Sequence, residues 1–106
     1  MLTLDTRVGD GEVVVALRGE LDLLEADRVR EAITQAVDTT TGLVVVDLAG
    51  LTFCDSVGIS TLIRGRRCAD AKQVPFRVIN PTGEVATVFD VCGVLDYLGS
   101  QKPPAD

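Results

Sequence analysis

Histidine is absent from this sequence. That one absence removes the commonest general base, the Ser-His-Asp and Cys-His arrangements, and the commonest metal ligand. Cysteine is scarce: Cys54, Cys68 and Cys92 are odd in number and widely spaced. They form neither a disulfide framework nor a zinc-finger spacing and read as reduced packing residues. No apolar run approaches the roughly 18 to 20 residues of a membrane span, and MLTLDTRV lacks the cationic start and apolar core of a signal peptide. A cytoplasmic protein with no membrane partner is therefore expected. Positive charge is also short, with ten Lys and Arg against 16 Asp and Glu and a net charge of −6. Such a balance repels phosphate backbones, so direct nucleic-acid binding is not expected.

What is present is ordinary globular chain: 46% hydrophobic and 25% charged residues over 106 positions. That length makes one domain, able to bury roughly two thirds of its unfolded surface. Leu2, Leu4 and Val8 interleave with Thr3, Asp5 and Arg7 as in a strand with one wet face, and Gly9-Asp10-Gly11 supplies a hairpin turn. Val13 to Leu17 is apolar without alternation, as in a central strand covered on both faces. From Leu23 the period becomes helical, with Ala26, Val29, Ile33, Ala36 and Val37 on one face and Asp22 and Glu25 resembling a capping pair. Leu43 to Leu48 reads as a second buried strand. A helix from Val57 to near Asp70 follows, with Ile59, Leu62 and Ile63 at helical spacing and Arg64, Arg66 and Arg67 on solvated later turns. Pro75 opens a strand over FRVIN, and Asn80 to Gly83 leads into a helix with Val85, Val88, Phe89 and Cys92 on its apolar face. Val94 to Leu98 is a short apolar finish, and Ser100 to Asp106 reads as a frayed tail. The order implies parallel strands joined by helical crossovers, with the first strand added antiparallel at or near an edge.

The stretch LTFCDSVGIS, residues 51 to 60, sets a serine where strand gives way to helix. The turns after Leu17 and Leu48 lie at the same end of such a sheet, which makes Asp22, Asp55 and Ser56 potential neighbours. Ser56 has several readings. As a helix cap, its hydroxyl accepts a backbone N–H from Gly58 or Ile59, worth about 1 kcal/mol. As a nucleophile it lacks a histidine base and has only Lys72, Lys102 or a carboxylate to turn to. Asp22, Asp47 and Asp55 are conceivable magnesium ligands, although solubilising acids account for them more simply. As a phosphate acceptor, Ser56 sits at a helix N-terminus, where free N–H groups and the dipole tolerate negative charge.

GELDL at 19 to 23, VVVDLAGLTFCDSVGISTL at 44 to 62 and RVINPTGEVATVFDVCGV at 77 to 94 resemble the STAS domains of bacterial anti-sigma-factor antagonists, over about Arg7 to Leu98. The resemblance implies an α/β fold: a single STAS-type domain over residues 1–99 and a flexible tail over 100–106. A small mixed sheet would open on an antiparallel hairpin and continue in parallel βα units with packed helices. It implies no enzyme and no cofactor. Ser56 falls where the family carries its phosphorylated serine, with Asp22 and Asp55 as acidic neighbours. An anti-sigma serine kinase is then the partner of the unphosphorylated form, ATP belongs to that kinase, and a serine phosphatase restores binding. Asp22, Asp55, Ser56, Val57, Gly58, Ile59 and Arg64 are the expected partner-binding residues, with Ile59 and Arg64 as exposed contributors. Val57 departs from the serine, threonine or alanine common at its place, and Ser60 from a frequent glycine. The same fold also serves as a small subunit of lipid-transport ATPase complexes and as a scaffold in stress signalling. A monomer or weak dimer fits either role.

Overall fold

The computed structural model describes residues 1–40 and 42–93. The expected Val94–Leu98 finish, the tail and the Cys92 side chain lie outside the described residues. The described chain runs β1 (Leu2–Gly9), β2 (Glu12–Leu21), α1 (Ala26–Thr39), β3 (Leu43–Cys54), α2 (Ser56–Ala71), β4 (Phe76–Ile79) and α3 (Gly83–Cys92). The sheet order is β1-β2-β3-β4. β1 pairs antiparallel with β2, while β2, β3 and β4 are parallel. This is the mixed α/β sheet expected, with the antiparallel strand at its edge.

Alternation along the strands decides what is inside. Val13, Val15 and Leu17 of β2 and Val44, Val46 and Leu48 of β3 are buried, and Val29, Ile33, Ala36 and Val37 of α1 and Leu62 of α2 join them in one core. In β2 the alternate residues Val14 and Ala16 are only half-buried. Registers such as Asp5↔Ala16↔Asp47 and Thr3↔Arg18 set them on the opposite face. That face opens as a shallow cleft lined by Thr3, Asp5, Arg7, Ala16, Arg18 and Asp47. The expectation that β2 is covered on both faces is thus corrected: the run VVVAL is continuous in hydrophobicity but not in burial.

α1 and α2 approach closely because Gly65 has no side chain, as a Cβ there would stand 2.9 Å from Ile33 Cγ2. α3 belongs to the same core through Val85 and Phe89. Cys54 is buried, with its thiol donating to the Asp55 carbonyl at 3.7 Å, and Cys68 is half-buried; neither is in a disulfide.

Both central strands run further than the apolar runs suggest, β2 to Leu21 and β3 to Cys54. Two register irregularities, between Ala16 and Arg18 and between Gly19 and Glu20, let β2 keep pairing with β3 through the polar RGE segment. The added pairs end at Leu21↔Cys54, both buried. β4 pairs only with Val44 to Asp47, so the carboxyl ends of β2 and β3 project beyond it.

Candidate functional site

The last pair of the β2–β3 ladder, Leu21↔Cys54, explains why two acidic residues distant in sequence meet in space. The residues immediately after this pair are Asp22 and Asp55, and they leave the sheet side by side at one carboxyl edge. Each carboxylate then organises its own turn. Asp22 Oδ1 accepts the Leu24 N–H at 3.1 Å, and the Asp22 carbonyl accepts from Glu25 N at 3.1 Å. Glu25 ends at Arg28 Nη1, 2.6 Å away, and makes no cap bond to the helix. The expected Asp22–Glu25 capping pair is therefore a turn followed by an ion pair, and α1 begins only at Ala26.

A second correction concerns the cap of α2. Asp55, not Ser56, is its N-cap: extended backbone at Asp55 (φ −97°, ψ −171°) brings Oδ1 to 2.9 Å from the Gly58 N–H. Ser56 is the first helical residue and is exposed. A carboxylate satisfies the orphan donor and complements the helix dipole, leaving the serine hydroxyl outside the cap. The Ser56 and Val57 N–H groups begin the helix and have no intrahelical acceptor.

Gly58 sets the distance between helix and sheet. A Cβ there would lie 2.7 Å from Cys54 Sγ, 2.9 Å from Leu21 Cγ and 3.0 Å from the Leu21 carbonyl oxygen. The first turn of α2 thus rests on the final pair of the ladder, and only a glycine allows it. Gly58 is buried and Ile59 is 7% exposed within the core. The expectation that Ile59 is an exposed contributor is corrected: one residue after the cap contact, the helix turns its apolar face to the sheet. Arg64 is exposed and Val57 half-buried.

Ser56, Val57, Ser60, Thr61 and Arg64 form one wall of an open groove of about 390 Å³, and Leu23, Ala26, Asp27 and Arg30 form the other. Thr61, though buried, donates its hydroxyl to the Val57 carbonyl at 2.9 Å. Leu23 and Leu24 stand in the connection before α1, 71% and 86% exposed. Of the expected residues, Ser56, Val57 and Arg64 share this groove, while Asp22, Asp55, Gly58 and Ile59 are not among its lining residues. Reading the sequence missed Leu23, Arg30 and Ser60. The spacing Ser56, Ser60, Arg64, one helical turn at a time, is the signal for Ser60, while Leu23 and Arg30 have none in the sequence.

Asp47 is not a neighbour of Asp22 or Asp55. It lies on the open sheet face and accepts from the Ala49 N–H at 3.0 Å and Asn80 Nδ2 at 3.1 Å. Among the described residues, no group of three His, Cys, Asp or Glu side chains is placed to hold a metal ion.

The STAS domain family model matches residues 3–103. The chain belongs to the STAS domain family. Solved structures share this fold. An anti-sigma factor antagonist from Mycobacterium paratuberculosis has a TM-score of 0.83 at 24% identity, over 92% of this chain and 83% of that one. The anti-sigma factor antagonist SpoIIAA in its unphosphorylated form has a TM-score of 0.74 at 24% identity, over 90% of this chain and 84% of that one. The Bacillus cell fate determinant SpoIIAA in the phosphorylated form gives 0.66 at 25% identity, over 93% and 88%. No curated protein matches the sequence. No helix of this STAS domain, among the described residues, is long and apolar enough to cross a membrane.

Proposed function

We propose that this STAS domain is an anti-sigma-factor antagonist working by partner switching. Unphosphorylated, it binds an anti-sigma serine kinase in the cytoplasm and so releases the sigma factor. Phosphorylation of Ser56 ends that binding, and a serine phosphatase restores it. The observation that carries the reading is the station of Ser56: exposed, first in α2, relieved of capping by Asp55, and on the rim of an open groove.

The chemistry asks little of this chain. The Ser56 hydroxyl oxygen attacks the γ-phosphorus of ATP bound to the kinase, the bond to the β-phosphate oxygen breaks, ADP leaves, and the hydroxyl proton passes to a base of the kinase. Asp55 is occupied by the Gly58 N–H and positions the helix end. The chain acts as substrate, not catalyst.

The consequence is electrostatic. A phosphoserine carries about −1.5 to −2 charges, tolerated locally by the helix N-terminus but unfavourable to a close-packed or acidic partner. Added beside Asp22 and Asp55 on a chain of net charge −6, it changes the surface without any need to move the backbone. That SpoIIAA has this fold in both phosphorylation states supports a switch of surface rather than of fold.

The decisive experiment mixes the purified chain with an anti-sigma serine kinase of the same organism, ATP and magnesium, and locates added phosphate by intact mass and peptide mapping. A single phosphate on Ser56, followed by loss of binding to that kinase, is the expected result. Unchanged affinity of the phosphorylated chain overturns the switch, and absence of modification leaves a constitutive STAS adaptor.

A further inference from the structure

The groove beside Ser56 differs in charge from the chain as a whole. The chain as a whole is at −6, yet the ionisable groups lining this groove are two arginines and one aspartate. Asp27 is already partnered within the groove, 3.4 Å from Arg30 Nη2, and both are exposed. Arg64 forms no ion pair among the described residues. Near the opposite end Leu23 is 71% exposed beside the half-buried Val57 and Ala26. An exposed leucine on a groove wall, followed by the unpaired Arg64 guanidinium and by Arg30 in its exposed pair with Asp27, leaves one positive charge in excess and complements a segment with an apolar side chain and a carboxylate.

We propose that the groove between α1 and α2 docks an acidic segment of a protein partner, with its carboxylate received by Arg30 and Arg64 and an apolar side chain seated on Leu23 and Val57. This deepens the switch reading and rests on it for the place where the partner arrives. It also gives the phosphate a specific target. On Ser56 the phosphate supplies the groove with an anion of its own, which repels the incoming carboxylate and competes for the same two guanidinium groups. Ser60, exposed between Ser56 and Arg64, adds a neutral hydroxyl along that path.

The test measures the affinity of the unphosphorylated full chain for a purified anti-sigma serine kinase by calorimetry, at low and at elevated salt. Arg30→Glu and Arg64→Glu are each expected to weaken binding about tenfold or more, with Arg64→Lys retaining most of it and salt weakening the wild type. Arg77→Glu makes the same charge change on an exposed β4 residue of the open sheet face and is expected to bind within about twofold of wild type. Circular dichroism verifies that every variant folds. Groove variants that bind like wild type overturn the acidic-segment inference, and the switch survives if Ser56 phosphorylation still abolishes their binding. Loss in the groove variants with full binding by the phosphorylated chain keeps the groove and removes the switch. An arm independent of any kinase pans short random peptides against the chain and maps binders by amide chemical shifts. Binders that perturb Leu23, Ser60 and Arg64 are expected to be rich in Asp and Glu and to be lost with Arg64→Glu; groove binders without acidic residues overturn the inference.

Discussion

Asp55 and Ser56 are adjacent in sequence and opposite in duty. Asp55 holds the Gly58 N–H at 2.9 Å and is half-buried, while Ser56 is exposed and outside the cap. Asp55→Ala is therefore expected to cost about 1 kcal/mol, within the 0.5–2 range of lost N-caps. Ser56→Ala is expected to stay within about 0.5 kcal/mol of wild type, as surface substitutions away from such features do. Urea denaturation of the two variants checks this. Equal losses would return the cap to the serine. The separation has a functional value under the switch reading: a hydroxyl free of the cap can be modified without unfastening the helix.

At the scale of elements, the site depends on how tightly α2 sits on the ends of β2 and β3. Gly58→Ala forces a methyl group against Cys54 Sγ and Leu21 Cγ at distances real side chains do not adopt, and tightly against the Leu21 carbonyl. The expected outcome is a net loss of roughly 1–3 kcal/mol by overpacking, reduced by Ala's better helix propensity, with a displaced first turn and slower phosphorylation of Ser56. Thermal denaturation and a kinase assay read the two effects separately. The far ends of α1 and α2 are tied by Lys72, the C-cap of α2, which pairs with Asp38 in the last turn of α1. The hydrogen bond that Lys72 donates to the Asp38 carboxylate, together with that carboxylate's negative charge, raises the Lys72 ammonium above its ordinary 10.5. A raised cationic pKa stabilises the fold below the unfolded value, and that contribution is lost as pH rises through the folded one. Lys72→Gln should accordingly differ from wild type by the same small, salt-screened amount across neutral pH and converge on it only in strong alkali. A difference that varies near pH 7 would contradict this assignment.

At the scale of the whole molecule, α3 is part of the core and not an appendage. Phe89 is fully buried, and Phe89→Ala is expected to cost about 3–5 kcal/mol, read as a lower denaturation midpoint. Ser56, by contrast, lies at the surface edge of that core, so phosphorylation is expected to leave the fold intact. Amide chemical shifts should move at Asp22, Leu23, Asp55 to Ser60 and along the groove, and stay in place in β1 and α3. Shifts spread over the whole sheet would mean a conformational rather than a surface switch. The opposite face of the sheet, with Asp5, Arg7, Arg18 and Asp47, carries both signs of charge and stands apart from this groove.

Period and punctuation in the sequence determined most of the architecture. The alternation before Gly9-Asp10-Gly11 announced the β1–β2 hairpin, and the buried spacing Val29, Ile33, Ala36 and Val37 announced α1. The DS-x-G segment located the strand-to-helix turn, because apolar patterning is local and changes period there. Tertiary structure alone decided the rest. Whether VVVAL is covered on one face or two depends on where the helices pack, which hydrophobicity along a strand does not encode. The extension of β2 and β3 to Leu21 and Cys54 required register shifts, whose stability comes from a neighbouring strand. Which of Asp55 and Ser56 caps α2 was settled by backbone angles, since both side chains are competent acceptors. The burial of Ile59 followed from the contact of Gly58 with the strand ends. The groove itself has no local signature: Leu23 and Arg30 meet Ser56 and Arg64 only because parallel strands deliver α1 and α2 to the same side of one sheet edge.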